Sequence, residues 1–258
     1  ALPDFFPDFK EDFFLPENME KFYGQLDVSR FELVSEKERW AAPIGKPGKI
    51  ICIGMNYKKH TEETKMDIPS EPIVFFKASS AICGPYDHVL LPKTSEKTDW
   101  EVELAVVIGK KALYVSEEDA LNYVAGYMQH IDITERAYQF DRGGQWVKGK
   151  SFDTFAPLGP YILTKDALDD PGNLQLETFV NGQKMQNGNT RDMIFSVPFL
   201  ISYLSNFMTL EPGDIISTGT PGGVGIGQLP PLFLQENDLL ESGIDHLGEQ
   251  KHRINQYY

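Results

Sequence analysis

The chain has 258 residues, of which 41% are hydrophobic, 12% aromatic and 24% charged, and its formal net charge is −14. That composition excludes a disordered tail, a collagen-like fibre and a disulfide-stapled miniprotein, and the length allows one or two domains with a sizeable core. The acidic balance argues against nonspecific binding to nucleic acid or to anionic membranes, both of which need a surplus of Lys and Arg.

The start, Ala1 to Phe9, is acidic and broken by prolines, unlike the basic-then-apolar layout of a signal peptide, so no secretion is expected. Residues 1–46 read as a small N-terminal segment ending in the Pro/Gly cluster Pro43–Gly48, and residues 47–258 as the main domain. Strands are predicted at Ile50–Ile53, Ile73–Phe76, Val89–Leu91, Trp100–Ile108, Ala125–Ile133, Tyr161–Thr164 and Leu174–Met185. The last contains Asn181-Gly182, a dipeptide suited to the positive φ angles of a hairpin turn. Cys52 and Cys83 lie in apolar stretches, which predicts free thiols in a reduced, cytoplasmic setting.

One helix is predicted after Ser116-Glu-Glu-Asp119, a hydroxyl cap with first-turn acids. A second spans Val197–Met208, where Val197, Leu200, Ile201, Leu204, Phe207 and Met208 fall on one face. The stretch is interrupted by polar residues and is shorter than the roughly 20 residues a membrane span needs. The short strand Ile215–Ser217 then empties into the glycine-rich loop Thr218–Gly227, able to bring backbone close to a ligand. Strands outnumber helices without a βαβ rhythm, which predicts a strand-rich α+β fold.

Three sets of residues can carry chemistry. Glu101 and Glu103 lie two apart on a predicted strand and project from one face, ahead of the unbroken apolar run Leu104–Ile108. Such a pair reads either as a solvated strand face or as carboxylates whose burial demands a cation. Asp132, in the next strand, adds a third carboxylate, and an all-oxygen set suits Mg²⁺ or Mn²⁺ rather than zinc. His130 shares the face of Asp132 and is either a fourth ligand or a hydrogen-bonded core histidine. His60 and Glu63, three apart, form a general-base dyad if helical, or part of a charged surface turn. His88, His246 and His252 have no partner spacing and are expected at the surface.

Gly144–Ser151 fits the phosphate-loop formula G-x-x-x-x-G-K-[ST], but no apolar strand precedes it and Pro157 and Pro160 follow, so the nucleotide reading fails on context. Lys150 remains as a cation for an anionic substrate or as a surface lysine.

Taken together, Gly54–His60, Trp100–Glu103, Gly126–Asp132, Gly149–Thr154, Pro212–Asp214 and Thr218–Gly225 resemble the fumarylacetoacetate hydrolase family over roughly Lys49–Gln250. The resemblance implies a mixed-β, roll-like core, a homodimer, and Glu101, Glu103 and Asp132 as ligands of Mg²⁺, with Mn²⁺ or Ca²⁺ as substitutes. It makes His60 and Glu63 the water-activating dyad, and Lys150, Gln139 and Arg136 holders of substrate oxygens, with Thr220 at the carboxylate. The implied substrate is a small-molecule oxo acid: a 2,4-diketo acid cleaved to pyruvate and a second acid. Thr134–Trp146 is similar to members acting on 2,4-diketo-3-deoxy sugar acids of the rhamnonate or fuconate type. Ile131-Asp132 and Glu135-Arg-Ala137 replace the Asn-Asp and Ala-Arg-Asp of many relatives, a difference expected to bear on specificity. A decarboxylase or isomerase of related oxo acids, of the oxaloacetate or 2-hydroxyhepta-2,4-diene-1,7-dioate type, is the alternative enzyme, and a non-catalytic binding module the alternative of another class.

Overall fold

Pro16, whose fixed φ suits the first turn of a helix, opens α1 (Pro16–Gln25) in the computed structural model, which describes residues 11–258 apart from Val28, Arg30, Glu32 and Glu36. The Ala1–Phe9 reading lies outside the described residues. After α1 come β1 (Ile50–Gly54), α2 (Lys58–Thr64), β2 (Ile73–Lys77), β3 (Ile82–Cys83), β4 (Val89–Leu91), β5 (Thr98–Asp99), β6 (Val102–Ile108) and β7 (Val124–Ile131). Then follow β8 (Thr134–Glu135), α3 (Arg136–Phe140), α4 (Val147–Lys150), β9 (Ala156–Thr164), β10 (Gln175–Val180), β11 (Gln183–Asn189), α5 (Val197–Ser205), β12 (Ile215–Ser217), β13 (Leu239–Ile244) and β14 (Gly248–Gln256).

One sheet has the order β2-β1-β12-β6-β7-β9-β3, a second β11-β10-β13-β14-β4, and β5 pairs with β8. The strand-rich α+β architecture expected from the sequence is therefore present. In β6 the alternation sorts the two faces: Val102, Leu104, Val106 and Ile108 join Ile51, Ile53 and the α5 residues Val197, Leu200, Ile201 and Leu204 in one core. Ala105 and Val107 face the other way, into a core with Ile50, Cys52, Phe13, Phe14 and Phe22, which docks the N-terminal segment on the sheet. Both cysteines are free and buried.

Several elements differ from expectation. The helix expected after Ser116 is a single tight turn at Ala120–Tyr123, because Val124 already enters β7 and leaves no length for an α-helix. Helix α5 ends at Ser205, three residues early, and Phe207 is 65% exposed instead of buried. Strand β9 begins at Ala156, not Tyr161: Pro157 and Pro160 each remove only a donor, and the Gly159 carbonyl between them still accepts from Gln250 Nε2 at 2.9 Å. His252 is buried rather than exposed, with Nδ1 2.6 Å from the Asp87 carbonyl and Nε2 3.0 Å from Gln250 Oε1. The hairpin turn matches, with φ of 52° at Asn181 and 78° at Gly182. No helix among the described residues is long and apolar enough to cross a membrane.

Candidate active site

The paired strands β6 and β7 bring the three carboxylates together. Glu103 lies opposite His130 and Val102 opposite Ile131, and just beyond, the Asp132 N–H donates to the Glu101 carbonyl at 2.8 Å. Glu101 and Asp132 thus sit immediately outside the strands expected to contain them, held in register by that bond. Each of the three offers an oxygen within 4.8 Å of the others, and all are buried.

Such crowding would be unstable without cations, and the chain supplies three. Lys150 Nζ lies 2.5 Å from Glu101 Oε2 and 2.8 Å from Asp132 Oδ2. Lys77 Nζ lies 2.5 Å from Asp132 Oδ1, and Arg136 bridges Asp99 Oδ2 at 2.8 Å and Glu101 Oε1 at 2.7 Å. Burial opposes ionisation of Glu101, but Arg136 and Lys150 outweigh it and hold the carboxyl below its ordinary value. Lys150 and Lys77 outweigh burial in the same way at Asp132. Glu103 is different: burial, Asp132 and Glu101 push it up to about 8. Its Oε2 accepts from Ser217 Oγ at 2.5 Å and from the Gly219 N–H at 3.0 Å.

An all-carboxylate set in which one member resists ionisation lacks positive charge. Each of the three carboxylates keeps lone pairs beyond its present partners, so the donor set fits one hard divalent cation. His130 stands apart from this set as a hydrogen-bonded core residue, its Nδ1 2.6 Å from Ser217 Oγ. Burial, reinforced by Lys77 and Lys150, pushes its pKa well below the usual histidine range, so the ring is neutral.

His60 and Glu63 do share one face of α2, with Nδ1 3.0 Å from Oε1. The glycine-rich loop explains why Glu63 stays in place: the Gly223 N–H donates to Glu63 Oε2 at 2.7 Å, while the Gly225 and Ile226 N–H groups donate to Asp99. A Cβ at Gly223 would come within 2.1 Å of the Met185 carbonyl oxygen. The close backbone approach expected of this loop therefore serves the chain's own carboxylates.

These groups surround a cavity of about 320 Å³. His60, Glu63, Glu101, Glu103, Lys150 and Thr220 line it, as do Arg136 and Gln139, and Asp132 lies behind this wall in contact with Lys150. Gln139 Oε1 accepts from Arg136 Nη1 at 3.0 Å, and the Thr220 hydroxyl donates to the Val102 carbonyl and accepts from Gln186 Nε2. The segment that fits the phosphate-loop formula follows a helix, and its Lys150 is engaged by the carboxylates. Sequence reasoning missed Lys77, Asp99, Gln186 and Ser217. Lys77 closes the apolar strand Ile73–Phe76, where a charged residue reads as a strand end, and the partners named for the other three lie 34 to 127 positions away. No local pattern marks such pairs, Gln186 with Thr220 included.

A Burkholderia cenocepacia protein whose name goes no further than hydrolase is 53% identical over 226 residues, 87% of this chain and 80% of that protein. The structure of maleylpyruvate hydrolase from Sphingobium sp. SYK-6 is similar at a TM-score of 0.81 and 32% identity, covering 96% of this chain and 86% of that one. The 2-hydroxyhepta-2,4-diene-1,7-dioate isomerase from Mycobacterium marinum is similar at a TM-score of 0.73 and 35% identity, covering 84% and 77%. Residues 49–255 match the sequence model described as fumarylacetoacetate (FAA) hydrolase C-terminal, and the chain belongs to that family.

Proposed function

We propose that this chain is a Mg²⁺-dependent hydrolase that cleaves the C3–C4 bond of a 2,4-diketo acid, releasing pyruvate and a second carboxylic acid. The similarity of Thr134–Trp146 to members acting on diketo-deoxy sugar acids makes that class one to test beside simpler diketo acids. The observation that carries the reading is that the His60–Glu63 pair opens onto the same cavity as Glu101, Glu103 and Lys150, with Asp132 directly behind Lys150 and within reach of the same centre. A divalent cation held by Glu101, Glu103 and Asp132 supplies neutralising charge to the substrate's carboxylate and 2-oxo group, and to the enolate that forms as the bond breaks.

With Nδ1–H donated to Glu63, the His60 lone pair lies on Nε2, which takes a proton from water as the water oxygen adds to C4. An ammonium has three protons. Lys150 uses two on Glu101 and Asp132, so the third is available to the oxyanion at C4. The Gln139 amide, whose oxygen is engaged by Arg136, contributes N–H donors. Collapse of the oxyanion breaks C3–C4, the electron pair passes to C3 as the pyruvate enolate, and a proton from the His60 imidazolium completes pyruvate. Arg136, engaged by Asp99 and Glu101, positions Glu101, and Thr220 forms the wall beside the substrate carboxylate.

The test is a panel of diketo acids, diketo-deoxy sugar acids included, assayed for pyruvate with Mg²⁺ and after chelation. Mg²⁺-dependent pyruvate release is expected, and its absence across the panel overturns the reading. The likeness to the M. marinum isomerase favours a second reading, because isomerisation and decarboxylation of oxo acids use the same enolate. Labelled water separates them: hydrolysis places one solvent oxygen in the acid product, whereas isomerisation places none and oxaloacetate yields CO₂. Ligand binding in calorimetry without any product marks a non-catalytic module. A homodimer is part of the proposal, and sedimentation at about twice 29.2 kDa is the expected result.

A further inference from the structure

The cavity changes character with distance from the carboxylates. Next to Lys150, whose Nζ lies 4.9 Å from the Phe75 ring centroid, an aromatic wall begins. Phe75 meets Trp146 edge-on at 5.4 Å, and Trp146 meets Phe140 edge-on at 6.1 Å, so three rings lead from the catalytic ammonium to the mouth. There Phe140 is 40% exposed, Met66 39% and Leu229 96%, all lining the cavity. The wall is built in: a Cβ on Gly54 would lie 2.5 Å from Trp146 Cζ3, so the indole sits where only glycine leaves room.

Polar groups are few at this level. Thr64 Oγ1 donates to the His60 carbonyl at 2.7 Å, Gln228 Nε2 makes a long contact of 3.4 Å with the Val224 carbonyl, and Lys65 is the charged group at the rim. A polyhydroxylated chain placed here would find few partners for the water it lost, whereas a flat hydrocarbon face would cover aromatic surface.

We infer that the part of the substrate beyond C4 is a planar apolar group such as an aromatic ring, and not a sugar chain. The inference rests on the proposed function for which end of the substrate meets the carboxylates, and its test reads binding so that the two stand or fall separately. Calorimetry in Mg²⁺ compares pyruvate, 2-oxo-4-phenylbutanoate, a 2-oxo-3-deoxy sugar acid and a seven-carbon 2-oxo dioate. The phenyl ligand is expected to bind about tenfold tighter than the sugar acid and the dioate, the scale set by burying a few methylene equivalents. Trp146→Ala should bring that ratio close to one while leaving pyruvate affinity unchanged. Should that variant fail to fold, Phe140→Ala, at an exposed position, should reduce the ratio about threefold.

Tighter binding of the sugar acid or of the dioate overturns the inference, as does a ratio that neither variant changes. Absence of pyruvate release from every diketo acid overturns the hydrolase reading and leaves the binding ratio to decide this one.

Discussion

Gln129 and His130 are neighbours on β7, and their side chains belong to two different regions. Gln129 Nε2 reaches Ser242 Oγ of the second sheet at 2.5 Å, and Gln250 Nε2 and His252 extend that seam. His130 points instead toward Ser217 and the carboxylates. Both regions bury polar atoms completely, yet the seam uses amides, hydroxyls and a neutral imidazole, while the carboxylate floor uses three acids and three cations. Neutral groups that hydrogen-bond to one another hold two sheets together at a smaller cost than buried ions, which persist here where they border a cavity. Damage to the floor should therefore remove activity and spare the fold, and damage to the seam should do the reverse.

The largest effect is expected from Glu103→Gln. Turnover should fall by at least about 10³-fold, because one of three ligands and its charge are lost. The Mg²⁺-induced rise in Tm, which corresponds to about 2.7 kcal/mol at a hundredfold excess over Kd, should disappear. The Tm of the metal-free protein should nevertheless hold or rise, because Glu103 is pushed up to about 8 and is already largely protonated at neutral pH. A large drop in that Tm would mean that the acid holds the fold as well as the site. His60→Ala comes next. Turnover should fall by about 10²–10⁴-fold while the Mg²⁺-induced shift persists, since the side-chain partner of His60 is Glu63 and not one of the three clustered acids Glu101, Glu103 and Asp132.

Two short-range patterns are legible in the sequence: the Glu-x-Glu at the head of an apolar strand gives Glu101 and Glu103, and a His-x-x-Glu that needs only one helical turn gives His60 and Glu63, while Asp132 follows only from its place in the next apolar strand. The cations are not legible to the same degree. Lys77 ends a strand and looks like any solvated boundary lysine until β2 is placed beside β1, which carries its ammonium to Asp132. Lys150 sits in a segment whose letters imitate a phosphate loop, and only its context, with no strand before it and Pro157 and Pro160 after it, corrects the reading. His252 shows the opposite error. Without partner spacing it reads as a surface residue, yet in β14 it alternates with Lys251 and Arg253, and its inward register buries it. The expected helix at Ser116 fails because the cap is local while the start of β7 is dictated by its pairing with β6, which sets Val124 opposite Ile108.

In the seam, burial lowers the pKa of His252 to about 4, so the folded protein holds it neutral while the unfolded chain binds a proton near 6.5. Between those values the unfolded state carries more protons, so stability rises with pH and is lost as pH falls from about 6.5 to 4. The full loss from this one group is about 3 kcal/mol. His252→Gln should flatten this acid limb in urea midpoints measured at pH 7 and pH 4.5, with turnover at neutral pH unchanged. His130, neutral for the same reason, keeps part of the limb in place. An acid limb identical to that of the parent protein would show that His252 is already protonated in the folded state or open to water.

The smallest effect falls where the two regions meet. Ser217, on β12, donates to Glu103 and lies against His130, so it connects the rigid centre of the sheet to the carboxylate with the freest proton balance. Ser217→Ala removes one bond to Glu103 and leaves the Gly219 N–H on the same oxygen. A group that orients a metal ligand is worth about tenfold in metal affinity, or about 1.4 kcal/mol. The variant should therefore bind Mg²⁺ about tenfold more weakly and recover near-normal turnover at saturating Mg²⁺. Full affinity in the variant would assign the orientation of Glu103 to the backbone alone. A loss that saturating Mg²⁺ does not rescue would place Ser217 among the groups the reaction itself uses. Either result redraws the boundary that Gln129 and His130 mark on β7.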